Sequence, residues 1–185
     1  QTCALPIYQT GAGASAQDWK TTGNTTLTAN ATINSLNQQN DFTLNSGVTL
    51  TLANGGLILG STERWFIGSG ATIKSGLSTG ELYIHTNTTG YTNGFQIQPL
   101  IANGSIATIV YKDGAGQVTM VNSGNSFSGG FQLNGGAIYL GSSSTGTGGS
   151  VTSGPLGTGT VTLNGGTLNL WGKNSGTTVN SLTLG

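Results

Sequence analysis

Phe131-Gln132-Leu133-Asn134-Gly135-Gly136-Ala137-Ile138-Tyr139-Leu140 is repeated 30 residues later as Val161-Thr162-Leu163-Asn164-Gly165-Gly166-Thr167-Leu168-Asn169-Leu170. Each copy is a short alternating run, an Asn-Gly-Gly turn and a second short run. A fixed offset of this size marks a protein built from stacked units, each too small to bury its own apolar face. Asn134, Gly135 and Gly136, with Asn164, Gly165 and Gly166, therefore define the corner of a repeat.

The same grammar extends toward the amino terminus. Leu27, Ala29, Ala31 and Ile33 alternate with Thr and Asn; Phe42 and Leu44 lead into Asn45-Ser46-Gly47, and Val48, Leu50 and Leu52 into Asn54-Gly55-Gly56. Trp65 and Ile67, Ala71 and Ile73, Leu82 and Ile84, and the runs at Phe95, Ile106 and Val118 follow. Alternation of period two places one face of each strand inside. No window sustains helical spacing free of glycine, so essentially no helix is expected. The Gly/Ser/Thr segment from Ser142 to Ser150 reads as a loop bulging from one rung.

Asn-Gly between alternating runs is also a hairpin signal, which makes an antiparallel β-sandwich the alternative. The fixed offset, the three- to six-residue strands and the recurrence of Asn, Thr and Gly at corners favour a parallel β-helix. In a stacked coil, corner asparagines can hydrogen-bond from rung to rung, and glycine supplies positive φ. At roughly 20–30 residues per rung the chain holds about six to eight rungs.

Composition limits what such a coil does. Of 185 residues only 5% are charged, against roughly 25% in an ordinary domain, and the net charge is zero. Five Lys and Arg residues over the whole chain cannot make the basic footprint that nucleic acid or anionic lipid requires. No run of 18 apolar residues is present to cross a membrane as a helix.

Gln1 to Tyr8 is what CAG ACG TGT GCT CTT CCG ATC TA(x) encodes, a string similar to the end of a short-read sequencing adapter. Residues 1–8 are accordingly expected to be non-native. Cys3 lies there, which leaves the rest without a cysteine for disulfides or metal thiolates. Residues 9–23 read as a linker or the remnant of a signal-cleavage region around Ala14-Ser15-Ala16. Residues 24–185 read as β-helix repeats cut short at the carboxy-terminal end. An open last rung around Leu168, Leu170, Val179, Leu182 and Leu184, with only Lys173 nearby, predicts end-to-end self-association.

Val110-Tyr111-Lys112-Asp113-Gly114-Ala115-Gly116-Gln117-Val118-Thr119-Met120, then Gly124-Asn125-Ser126-Phe127-Ser128-Gly129-Gly130, resembles the autotransporter-associated β-strand repeat. Gly154 to Leu168 is similar to the next part of that pattern. Phe127 stands where Tyr is usual, and Asp113 intervenes between Lys112 and Gly114. The resemblance covers roughly Gly80 to Leu170. It implies a right-handed parallel β-helix in a secreted or surface-displayed bacterial protein, with a role in export and display rather than catalysis.

Candidate chemistry is sparse. Asp18, Asp41 and Glu63 are spaced near one rung apart, so Asp41 and Glu63 could share a face as a glycosidase-type pair or a calcium site. The neighbouring opposite charges Asp18 and Lys20, Glu63 and Arg64, and Lys112 and Asp113 instead suggest solvated turns. His85 is expected outward beside Tyr83, without a second metal ligand. The composition implies no cofactor and no metal site. Trp65, Tyr83 and Tyr91 are the candidates for stacking on a surface glycan. The reading that emerges is a non-enzymatic display segment, and the alternative is a polysaccharide-binding or -cleaving β-helix.

Overall fold

The structure, a computed structural model, describes residues 17–60, 65–87, 95–147 and 150–170. Tyr91 lies outside them, as do Glu63, Arg64, Lys173, Val179, Leu182, Leu184 and the first sixteen residues. The described chain is all-β and coils as a parallel β-helix. Its strands are β1 (Trp19–Lys20), β2 (Thr25–Leu27), β3 (Ala31–Gln38), β4 (Phe42–Leu44), β5 (Thr49–Leu59) and β6 (Trp65–Ile67). They continue through β7 (Thr72–Ser75), β8 (Glu81–Thr86), β9 (Phe95–Ile97), β10 (Leu100–Ala102), β11 (Ile109–Asp113) and β12 (Gln117–Met120). The last are β13 (Gly130–Leu133), β14 (Ala137–Leu140), β15 (Thr145–Thr147), β16 (Ser150–Ser153), β17 (Val161–Leu163) and β18 (Thr167–Asn169).

Two ladders run along the coil. One joins β1, β3, β5, β8, β11, β13 and β17; the other joins β2, β4, β6, β9, β12, β14 and β18. All of these pairings are parallel. A third, shorter face is made by the first halves of β3 and β5 with β7 and β10. The strand β5 serves two faces because it bends at Gly55, whose φ is +67°. Asn54-Gly55-Gly56 is thus a corner within a continuous strand.

The Asn134-Gly135-Gly136 turn connects β13 to β14, which belong to different ladders. It is a corner of the coil and not a hairpin, and the antiparallel alternative fails on that point. Among the described residues the one antiparallel pair is β15 with β16, which joins neither ladder. This small hairpin is the bulge expected at Ser142 to Ser150. Parallel pairing already includes β1, inside the 9–23 stretch read as linker. Leu27 to Ile33 is not one strand: β2 ends at Leu27, β3 begins at Ala31, and Ala29 at the corner is exposed.

Inward residues stack in columns along the axis. Phe42, Phe66, Ile97, Met120 and Leu140 form one, and Leu82, Val110, Phe131 and Val161 another. Phe42 and Phe66 meet edge to face, with centroids 5.4 Å apart. Each fully buried aliphatic or aromatic side chain contributes about 1.5–3 kcal/mol, and stacking lets every rung use its neighbour as the core it lacks.

Candidate functional site

Outward residues stack in columns as well, and the first ladder carries the one that matters most. Ser35, Gly56, Tyr83, Tyr111, Gln132 and Thr162 follow one another from rung to rung. Tyr83 and Tyr111 lie ring on ring, with centroids 5.1 Å apart and planes 15° from parallel. That separation is close to the 4.8 Å strand spacing, so parallel register itself aligns the rings. Tyr83 remains 45% exposed. Its phenol is pushed above the ordinary tyrosine range, first by desolvation and then by Glu81 and Tyr111. The hydroxyl therefore stays protonated at neutral pH and can donate a hydrogen bond.

The adjacent column holds Lys20, Asn37, Ile58, His85 and Asp113. His85 points outward beside Tyr83, as alternation requires. Its Nδ1 lies 2.8 Å from Asp113 Oδ1, and Asn87 Nδ2 lies 3.0 Å from its Nε2. The amide nitrogen donates only, so Nε2 accepts and the neutral ring carries its proton on Nδ1, donating to Asp113. Both ring nitrogens are thus engaged, Nδ1 by Asp113 and Nε2 by the Asn87 amide.

Trp65 is 44% exposed but stands on the second ladder, in register with Gln96. The structure therefore does not bring Trp65 and Tyr83 onto one platform. The partner of Tyr83 is Tyr111, which the sequence reading passed over. The signal existed: Tyr83-Ile84-His85 aligns with Tyr111-Lys112-Asp113 at a 28-residue offset, but rungs here range from 17 to 31 residues.

The described acids are dispersed and engaged locally. Asp18 accepts from Ser35 Oγ at 2.7 Å, Asp41 accepts from the Trp65 backbone N–H at 3.1 Å, and Glu81 accepts from the Thr79 hydroxyl. No group of three or more His, Cys, Asp or Glu residues converges among the described residues. The proposed partner of Asp41, Glu63, lies outside them.

Lys112 corrects the sequence reading. The pairing with Asp113 suggested a solvated turn, yet Lys112 is fully buried. It occupies an inward position, between Ile84 and Leu133 in the column Leu36, Leu57, Ile84, Lys112, Leu133. Its Nζ donates among four backbone carbonyls: Asp113 at 2.8 Å, Gly116 at 3.0 Å, Gly135 at 3.1 Å and Gly114 at 3.2 Å. Burial pushes the ammonium down to about 8 against the upward pull of Asp113. The carboxylate of Asp113 is turned to His85 instead.

The repeat-defining corners fit around this lysine. Asn164 Nδ2 donates to Asn134 Oδ1 at 2.8 Å, a rung-to-rung asparagine bond of the kind expected. Gly136 and Gly166 have φ of +73° and +88°, while Gly135 and Gly165 need no positive φ. A Cβ on Gly136 would lie 2.2 Å from Gly116 O and 2.9 Å from Lys112 Nζ. The second glycine is thus what lets the corner close over the lysine.

No family model matches the chain, and neither the curated proteins nor the solved structures contain a significant match to it.

Proposed function

We propose that this chain is a non-enzymatic spacer and display segment of a secreted or cell-surface bacterial protein, of the autotransporter-associated β-strand repeat type. Its task is to support export and to hold other parts of its parent protein away from the surface. The observation that carries the reading is the unbroken stacking of seven rungs, with both inward and outward columns in register along two ladders. A rod of this kind resists bending because every rung shares main-chain bonds and side-chain contacts with its neighbours. The dispersed acids and the doubly bonded His85 support the same reading, since each is used to fix the coil.

The purified chain tested against polygalacturonate and alginate decides between display and polysaccharide cleavage. The display reading expects no depolymerisation. Measurable turnover that is lost in Asp113→Asn would overturn it.

A further inference from the structure

The tyrosine column stops short on one side. Tyr111 covers one face of the Tyr83 ring, 5.1 Å away. On the other side the residue in register is Gly56, which has no side chain. The next position beyond is Ser35, two rungs from Tyr83 and so roughly 9.6 Å along the axis. The ladder of rings therefore ends in an open notch one rung high. Its floor is the Gly56 backbone, one end is the free face of Tyr83, and the other end is Ser35 with its hydroxyl bonded to Asp18. Ile58, the next outward residue on the rung of Gly56 and 40% exposed, flanks it.

We infer that this notch binds a single uncharged sugar ring of a surface glycan, stacked on Tyr83. A pyranose presents a flat apolar C–H face and a rim of hydroxyls. Laid on Tyr83 it occupies the level of Gly56, where the next ring of the ladder would stand. A hydroxyl on its far side faces Ser35, whose Oγ donates to Asp18 one rung further on and is free to accept, while Glu81 lies two residues before Tyr83 on the same strand. The Glu81 carboxylate beside Tyr83 disfavours an anion laid on the ring, so uronic acids, sulfated sugars and nucleotides bind less well than neutral sugars. An aromatic side chain from a protein partner could stack, but it offers no hydroxyl to Ser35 Oγ. The inference does not rest on the display role, since a coil of any purpose could carry the notch.

The test uses the whole chain with maltohexaose, cellohexaose and mannohexaose as neutral probes and tetragalacturonate as the anionic one. Titration is followed by saturation-transfer NMR up to roughly 10 mM, the range expected for one stacking contact. At least one neutral hexaose should bind saturably, and tetragalacturonate should not. Tyr83→Leu and the notch-filling Gly56→Thr should each weaken binding about tenfold or more. Tyr139→Ala, on the other ladder, should leave it unchanged. Gly56 needs no positive φ, but an added Cβ lies 3.1 Å from Ser35 Cβ, which must give way by a few tenths of an ångström, so the filled variant serves as a test where it folds. Unfolding midpoints of each variant verify that, and Tyr83→Leu stands alone if it does not. Absence of saturable binding to every neutral probe, retained affinity in Tyr83→Leu or in a folded Gly56→Thr, or tighter binding of tetragalacturonate would each overturn the inference.

Discussion

Replacing Lys112 with Met sets two opposed effects against each other, and pH separates them. Met keeps an unbranched side chain in the column between Ile84 and Leu133 but removes the donor from four carbonyls. One of these, Gly116 O, still accepts from the Ala137 N–H at 3.2 Å. Removing the ammonium from the other three, at partly buried positions, costs about 1 kcal/mol each. Against this, the folded coil holds the lysine proton less tightly than the unfolded chain does. The value of about 8 lies below the ordinary lysine value of 10.5, so burying the charged form costs about 3 kcal/mol relative to the neutral amine. The two effects nearly cancel at pH 7, and Lys112→Met should lie within about 1 kcal/mol of the natural protein there. Between pH 8 and 10.5 the unfolded state binds more protons than the folded state, so stability rises with pH. By pH 9.5 the lysine alone should have added about 2 kcal/mol to the natural chain's stability relative to pH 7. The Met variant should gain almost nothing. Urea unfolding at pH 7.0, 8.0, 8.8 and 9.5 measures both curves. A flat profile for the natural chain, or the same rise in the variant, would refute the reasoning.

Four other outcomes follow from the geometry. Gly136→Ala forces a side chain into positive φ and against backbone oxygens, and should cost about 3 kcal/mol or more in denaturant unfolding. Gly135→Ala, whose added Cβ would have its nearest neighbours at 3.7 and 3.9 Å, should change stability by less than about 0.5 kcal/mol. Asn125 is buried, accepts from the Ile101 N–H at 2.8 Å and donates to Pro155 O at 3.0 Å; Asn125→Ala should cost about 2–4 kcal/mol, read as a lowered melting temperature. Leu163 continues an inward column over Leu133 yet is 57% exposed, and sedimentation velocity should show concentration-dependent association that Leu163→Lys abolishes. A chain that stays monomeric across the series would refute that last expectation.

The difference between what could be read in advance and what could not lies in the period. Apolar alternation and the twin Leu-Asn-Gly-Gly corners depend only on neighbours in sequence, so strands, corners and the parallel coil were legible. The partner of a given outward residue depends on rung length, and that changes wherever a corner lengthens. The hairpin of β15 and β16 sits within the rung that runs from Leu133 to Leu163, so the most visible repeat is also one of the longest rungs. Reading 30 residues as the period hides the 28-residue step from Tyr83 to Tyr111 and the 21-residue step from Lys112 to Leu133. Lys112 was hidden for a second reason. Charge next to Asp113 in sequence suggests a surface pair, but adjacent strand residues point to opposite faces. Asp113, outward, goes to His85; Lys112, inward, must find partners inside a corner. The corner supplies them because its glycines leave carbonyls bare. The same absence of side chains that makes Gly136 indispensable to the lysine leaves Gly56 open beside Tyr83. In both places the coil keeps a glycine at a position where a side chain would block what its neighbour does.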